Sequence, residues 1–321
     1  MTELEIPVEK WSGAVRLVTL GATGDGGTRT STVTVGGEAA LPFLHFEGQI
    51  PNAPVVAAEV VDVHPTDWSP ALLEALGDDT RDPAAWARKM VGLGADLISL
   101  KLRSTHPDQG DRSAADAVAT VKSVLAAVGV PLIVYGPGVV DKDNEVLVAV
   151  AEATKGERIA LANCEEKNYR TIVAAALGNG HLVVAQTPID VNLAKQLNIL
   201  ISDMGLSLDR ILMDPNTGAL GYGIEYTYSV MERLRLAALM GDGMTQQPML
   251  CTVGEETWRQ KESRVAEGVP AAWGDLVDRA VVWETTTALT VLQSGADIVS
   301  LRHPKSIALV KQTIAALMKG A

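Results

Sequence analysis

From residue 55 onward, short aliphatic runs alternate with amphipathic stretches, and this alternation narrows the possible folds more than any other feature. The runs are 55–62, 97–102, 132–135, 159–163, 182–186, 211–214, 249–252 and 298–302. The helical stretches are 83–93, 114–128, 141–153, 169–177, 191–204, 224–240, 276–293 and 305–318. Continuous aliphatic runs suit parallel strands that are covered on both faces. Eight strands, each followed by a helix, predict an α/β chain of the (β/α)8 TIM barrel class. Asp82-Pro83 supplies a cap and an N1 proline before the first helix, and Pro304 does the same for the last. An internal echo supports the count: Gly94-Ala95-Asp96-Leu97-Ile98-Ser99-Leu100-Lys101 recurs as Gly295-Ala296-Asp297-Ile298-Val299-Ser300-Leu301-Arg302. The competing architecture, an open doubly wound sheet, lacks a glycine fingerprint at its first βα turn.

Residues 1–50 stand apart as an N-terminal extension, with 51–321 forming the barrel. Segments 15–20 and 30–35, joined by Asp25-Gly26-Gly27, read as a β-hairpin that plugs the barrel bottom or covers a partner.

The chain has 321 residues, 47% of them hydrophobic, so one large aliphatic core is available. A formal charge of −12 argues against nucleic acid or an anionic membrane as a partner. Cys164 and Cys251 offer no disulfide framework and are too few for an iron–sulfur cluster. The acidic start Met1-Thr2-Glu3-Leu4-Glu5 lacks the regions of a signal peptide, and no apolar run approaches a membrane span, so a cytoplasmic protein is expected. His45, His64, His106, His181 and His303 show no zinc spacing, so no metal is expected on this chain alone.

Period-2 alternation sorts the strand residues into inward and outward sets. Leu97, Ser99 and Lys101 then point inward, as do Ile298, Ser300 and Arg302, and Glu59 on the intervening strand falls between the two cations. The other strands offer Tyr135, Asn163, Gln186, Asp214 and Thr252. This polar ring of near-balanced charge suits a large, mostly uncharged ligand. Lys101 could serve as a Schiff-base nucleophile, but an ion pair with Glu59 would raise its pKa, which favours a structural or ligand-positioning role. The two cysteines read as buried small hydrophobes.

Two loops add to the rim. Asp214-Pro215-Asn216-Thr217-Gly218-Ala219-Leu220-Gly221-Tyr222-Gly223 carries a strand end through a glycine-rich loop into a helix, where α/β proteins bind ligands. Residues 253–275 form a long charged loop with Trp258, Arg259, Lys261, Arg264 and Trp273, the composition of a lid or docking surface.

Several runs resemble a known family: Leu41-Pro42-Phe43-Leu44-His45-Phe46-Glu47-Gly48, Pro51-Asn52-Ala53-Pro54-Val55, His106-Pro107-Asp108, Ala162-Asn163-Cys164, Asp214-Pro215-Asn216-Thr217-Gly218 and Gly221-Tyr222-Gly223-Ile224-Glu225-Tyr226. Together they are similar to the small subunit of the corrinoid iron–sulfur protein, the delta-type subunit of CO dehydrogenase/acetyl-CoA synthase systems. The resemblance implies a barrel related to pterin-dependent methyltransferases. It implies pairing with a large subunit that carries the iron–sulfur cluster and a cobamide (a corrinoid). It also implies methyl transfer from a methyltetrahydropterin methyltransferase to acetyl-CoA synthase, in the acetyl-CoA pathway of carbon fixation. On that reading Asn163, Gln186, Asp214, Asn216 and Thr252 face the cobamide at the interface, and Gly221 and Gly223 let their loop approach it. Related pterin-binding barrels carry an Asp, an Asn and an Asp at strands 3, 4 and 6. Asn163 and Asp214 match the last two, whereas the third strand ends in Tyr135-Gly136-Pro137 without an acid. The alternative is a methyltransferase that itself binds methyltetrahydropterin; a Schiff-base aldolase acting through Lys101 is a third reading.

Overall fold

The protein is described by a computed structural model over residues 7–24 and 26–319. Strands β3 (Val55–Val61), β4 (Leu97–Lys101), β5 (Leu132–Tyr135), β6 (Ala160–Cys164), β7 (Leu182–Gln186), β8 (Ile211–Asp214), β9 (Met249–Cys251) and β10 (Ala296–Leu301) close an all-parallel barrel in chain order. Its seam pairs Ile298 of β10 with Val55 of β3. Helices α1 (Pro70–Leu76) and α2 (Pro83–Gly92) follow β3. The next connections are α3 (Ala114–Ala127), α4 (Val140–Ala153), α5 (Tyr169–Asn179), α6 (Val191–Asp203) and α7 (Ile224–Leu239). After β9 come α8 (Val253–Thr257) and α9 (Leu276–Gln293), and α10 (Pro304–Leu317) follows β10. This is the predicted (β/α)8 barrel, with α1 and α8 as short additions inside βα connections.

Apolar side chains separate into two cores. The larger lies between strands and helices, and the smaller fills the barrel with Ala57, Leu97, Ile133, Leu182, Leu250 and Ile298. The interior set is the one that alternation assigns to β3, β4 and β10. Beneath it sits the hairpin of β1 (Val18–Leu20) and β2 (Val33–Val35), antiparallel with Val18 opposite Val35. Val18, Leu20 and Val35 join the interior core, so the hairpin plugs the barrel bottom. Its strands are shorter than the sequence suggests, and Asp25 of the expected turn lies outside the described residues.

A buried arginine holds the plug. Arg29 Nε pairs with Glu157 at 3.1 Å, while its Nη1 and Nη2 donate to the carbonyls of Val128 at 2.5 Å and Leu125 at 2.6 Å. Glu47 accepts from Trp11 Nε1 at 3.1 Å and from Leu41 N at 3.2 Å, and His45 Nε2 meets the Leu317 carbonyl at 2.9 Å. The 41–48 run therefore fastens the extension to the barrel.

The repeated Gly-Ala-Asp has a physical cause. Asp96, just before β4, accepts from Val56 N of the preceding strand at 3.0 Å and pairs with Lys311 of α10 at 2.5 Å. Asp297 likewise accepts from Met249 N at 2.8 Å and pairs with Arg235 of α7 at 3.0 Å. In each case a carboxylate satisfies a donor at the start of the neighbouring strand, within its first two residues, and a helix cation neutralises it. The two His-Pro pairs are caps: Nδ1 of His303 accepts from Lys305 N, and Nδ1 of His106 from Asp108 N, both at 3.1 Å.

Candidate ligand site at the barrel mouth

The carboxyl ends of the strands open into a cavity of about 500 Å³, within the usual range for a small-molecule site. Its floor is an ion-pair chain built by alternation on three adjacent strands. Glu59 of β3 takes Arg302 Nε at 2.9 Å and Nη2 at 2.5 Å on one oxygen, while its other oxygen lies 3.5 Å from Lys101 Nζ. The predicted carboxylate between two cations is thus present. Sequence reasoning missed the partners that come from loops. Glu255 of α8 reaches down to Lys101 and is itself held by Arg259. Trp68 lies under Arg302, with the guanidinium carbon 4.1 Å from the ring centroid. Neither contact has a periodic strand signal, because Trp68 sits in the turn before α1 and Glu255 on the five-residue helix α8 within a βα connection.

Burial tends to neutralise Lys101, but Glu59 and Glu255 outweigh it and lift the pKa above the ordinary lysine value. Glu255 shows the converse: burial raises it, yet Lys101, Arg259 and Arg302 pull it down to about 2. Both groups favour the charged form, which suits Lys101 to a charge partner's place, since a Schiff-base nucleophile needs its pKa depressed.

Asn163, Gln186, Asn216 and Thr252 line the cavity together with Tyr135. Asn163 reaches it by a route that alternation does not give. Ala160 and Ala162 are the inward residues of β6, and the register to β7 slips between Leu161 and Cys164. That irregularity turns Asn163 toward the mouth as well. Its Oδ1 is buried with no hydrogen-bond partner among the described residues, and the same holds for the Tyr135 hydroxyl. Burial pushes the Tyr135 phenol well above its usual pKa, with Asp214 and Glu59 adding to the shift.

Asp214 is placed differently from the sequence expectation. It is fully buried beneath the cavity, where Oδ1 accepts from Asn216 N at 2.8 Å and Oδ2 from Gln186 Nε2 at 3.0 Å. Burial lifts its carboxyl to about 6. Asp214 therefore orients two lining residues and does not present its own oxygens. Gly221 and Gly223 also lie off the lining. Gly221 has a φ of +97°, and a Cβ there would stand 2.3 Å from Gln260 Oε1, so the close approach it permits is to the 253–275 loop.

That loop is a built wall. Trp258 stacks on His303 with centroids 5.9 Å apart, Gln260 Nε2 donates to the Leu220 carbonyl at 3.0 Å, and Arg279 Nη2 donates to the Val265 carbonyl at 2.6 Å. Glu255, Trp258 and Arg259 from it face the cavity.

Cys164 and Cys251 are both buried, on β6 and β9. Among the described residues no group of three or more His, Cys, Asp or Glu could hold a metal ion, and no helix is long and apolar enough to cross a membrane.

Comparison with known proteins places this geometry. Dihydropteroate synthase from Xanthomonas albilineans in complex with 7,8-dihydropteroate superposes with a TM-score of 0.57, at 16% identity, over 85% of this chain and 97% of that one. The Coxiella burnetii dihydropteroate synthase in complex with pteroic acid gives 0.55 at 14% identity, over 87% and 99%. At such identities the likeness is one of fold. In sequence, the acetyl-CoA decarbonylase/synthase complex subunit delta of Methanopyrus kandleri is 40% identical over 96% of this chain and 76% of that protein. Its counterpart in Archaeoglobus fulgidus is 39% identical over 95% and 68%. The match to the family itself spans residues 17–302, and the chain belongs to the CO dehydrogenase/acetyl-CoA synthase delta subunit family.

Proposed function

We propose that this chain is the small subunit of a heterodimeric corrinoid iron–sulfur methyl carrier, its barrel mouth covering a cobamide held by the large subunit. In this reading the pair takes part in methyl transfer from methyltetrahydropterin methyltransferase to acetyl-CoA synthase. The relatives' name, subunit of an acetyl-CoA decarbonylase/synthase complex, supports a life among partner subunits. One observation carries the reading. Lys101, Arg103, Arg259 and Arg302 at the mouth each pair with a carboxylate of this chain and Arg264 donates to the Asp67 carbonyl at 3.3 Å, so the floor offers a ligand mainly carboxamide and hydroxyl. A corrin bears a rim of amide groups, and neutral donors and acceptors suit it better than free charge. The unpartnered Asn163 Oδ1 and Tyr135 hydroxyl fit such a rim.

When bound, the cobamide supplies the methyl-carrying chemistry. This chain's residues bind and orient. Gln186 and Asn216 are fixed by Asp214, the ion-pair chain keeps the floor rigid, and the 253–275 wall excludes water from one side. The iron–sulfur cluster belongs to the partner in this reading, because two buried thiols on different strands do not fit it.

The test is expression of the full chain alone and together with the large subunit, followed by metal analysis. A one-to-one complex holding cobalt and iron is expected, with neither metal on the chain alone. Stoichiometric iron or corrinoid retained by the single chain would overturn the proposal. The competing reading, a methyltransferase that binds methyltetrahydropterin, is opposed by the burial of Asp214, whose oxygens are already engaged. Tight, stoichiometric pterin binding by the isolated chain would favour it instead.

A further inference from the structure

We infer that the mouth contains an amide-recognition pocket, in which the Asn163 carboxamide pairs with an amide of the ligand and the Tyr135 hydroxyl donates to that amide's carbonyl. The inference rests on the corrin-covering reading and names the part of the corrin that enters the barrel: one carboxamide arm.

Tyr135 ends β5 and is only 4% exposed, yet it lines the cavity, and its hydroxyl has no hydrogen-bond partner among the described residues. Asn163, near the end of the adjacent strand β6, lines the same cavity with its Oδ1 buried and equally unpartnered. A buried group of this kind costs about 1–3 kcal/mol when left unpaired, so both gain from a polar partner that enters the cavity. An amide side chain offers a donor and an acceptor side by side, and its natural complement is a second amide, joined in a cyclic pair of hydrogen bonds. The phenol, held neutral by burial and by the nearby Asp214 and Glu59 carboxylates, keeps its proton to donate.

The surroundings select against charge. Glu59 and Asp214 lie at or under the floor, and the Lys101 ammonium is already shared between Glu59 and Glu255. At the floor a ligand carboxylate would meet like charge beside cations that already hold carboxylates, whereas a neutral amide meets no such repulsion. Two sources carry this chemistry: the carboxamide arms of a corrin and the lactam edge of a pterin. A corrin lying across the mouth can insert a single arm, and the cavity of about 500 Å³ has room for one.

The test is titration of the full chain up to millimolar ligand, read by quenching of tryptophan fluorescence. The probes are cobinamide, the heptamethyl ester of cobyrinic acid, whose esters have no N–H, and tetrahydrofolate. Tyr135→Phe should weaken cobinamide binding by roughly 2- to 12-fold, the loss of one hydrogen bond, and Asn163→Ala, which removes both bonds of the cyclic pair, by roughly 5- to 100-fold. The ester, which keeps a carbonyl acceptor but offers no N–H to Asn163 Oδ1, should bind more weakly to the unmodified chain and lose less than cobinamide does on Asn163→Ala. Thermal midpoints within a degree or two of the parent keep the comparison free of unfolding. Cobinamide binding that is unchanged in both variants refutes the pocket while leaving the corrin-covering reading intact. Absence of cobinamide binding, with tetrahydrofolate binding weakened by both substitutions, keeps the pocket but assigns it to a pterin and overturns the proposed function. Failure of all three probes to bind refutes the pocket.

Discussion

Glu59 and Arg302 meet across the seam where the first and last barrel strands close, with two hydrogen bonds to one carboxylate oxygen and no solvent at the glutamate. The barrel's closure and the floor of its mouth are therefore the same contact. Lys101, 3.5 Å away on the next strand, shares the other oxygen. The charges are unequal in what they leave behind. Removing the carboxylate strands the buried Arg302 guanidinium and leaves Lys101 with Glu255 alone, whereas removing the guanidinium leaves a carboxylate that still has an ammonium beside it.

This asymmetry sets the first expected outcome. Glu59→Leu should cost about 3–5 kcal/mol, the usual penalty for leaving a buried charge uncompensated. Arg302→Met should cost less. Urea unfolding monitored by circular dichroism measures both, and an Arg302→Met penalty equal to or larger than that of Glu59→Leu would contradict the shared-carboxylate account.

Asp214 gives a pH dependence. Burial raises its carboxyl from the model-compound 3.8 to about 6 in the folded chain. A group raised in this way contributes stability that is complete below its unfolded pKa and is lost as pH rises through about 6. Asp214→Asn is neutral throughout, keeps an acceptor for Asn216 N, and lets Gln186 turn its amide to match. Its stability relative to the parent should thus rise between pH 4 and pH 7.5, by about 2 kcal/mol at roughly 1.4 kcal/mol per pKa unit. Denaturation at several pH values tests this. A stability difference that stays flat across the range rules it out.

Much of the fold could be read from the sequence because parallel strands announce themselves as aliphatic runs and alternation is rigid within them. Lys101, Arg302 and Glu59 were placed inward by that rule, and they meet there. The rule fails where the backbone departs from it or where depth matters. On β6, alternation ending at Asn163 would have turned Leu161 inward, but Leu161 packs against the helices and the register slip brings Asn163 to the mouth. Asp214 does point inward, yet alternation says nothing of the loop that folds over it and seals it. Glu255 lies 154 residues from its partner Lys101, in a connection with no period to read. Asp143 is similar. Its carboxylate stands where a Cβ on Gly136 would go and accepts from Gly138 N at 2.9 Å, so an acid lies beside the end of β5 although the strand itself supplies none.

The wall beside the mouth depends on one glycine. Gly221→Ala forces a Cβ to within 2.3 Å of Gln260 Oε1 at a φ of +97°. Strain of this kind costs about 1–3 kcal/mol. Gln260 should be displaced from the Leu220 carbonyl and the 253–275 loop loosened, while the barrel stays intact. Limited trypsin digestion reports this directly, since Arg259, Lys261 and Arg264 all lie in the loop. Faster cleavage there with an unchanged barrel is expected; cleavage at the parent's rate would show that Gln260 is not what holds the wall.

Arg29 should be the residue on which the plug depends. Its guanidinium ties the hairpin segment to Glu157 and to the carbonyls of Leu125 and Val128 at the end of α3, all at the closed end of the barrel. Arg29→Ala leaves Glu157 with only the Thr28 backbone N at 3.1 Å and hydroxyl at 2.7 Å, and it strips two buried carbonyls of a charged donor. The expected cost is about 3–5 kcal/mol, as for other broken buried pairs. Arg29→Lys should recover part of it, because an ammonium keeps the charge but cannot span three acceptors with a planar fork. The effect should be local before it is global. Amide exchange at Val18–Leu20 and Val33–Val35 should accelerate first, because these strands bury their side chains only through the plug, while β4 and β5 keep their protection. Uniform acceleration across hairpin and barrel alike would instead show that plug and barrel unfold as one unit.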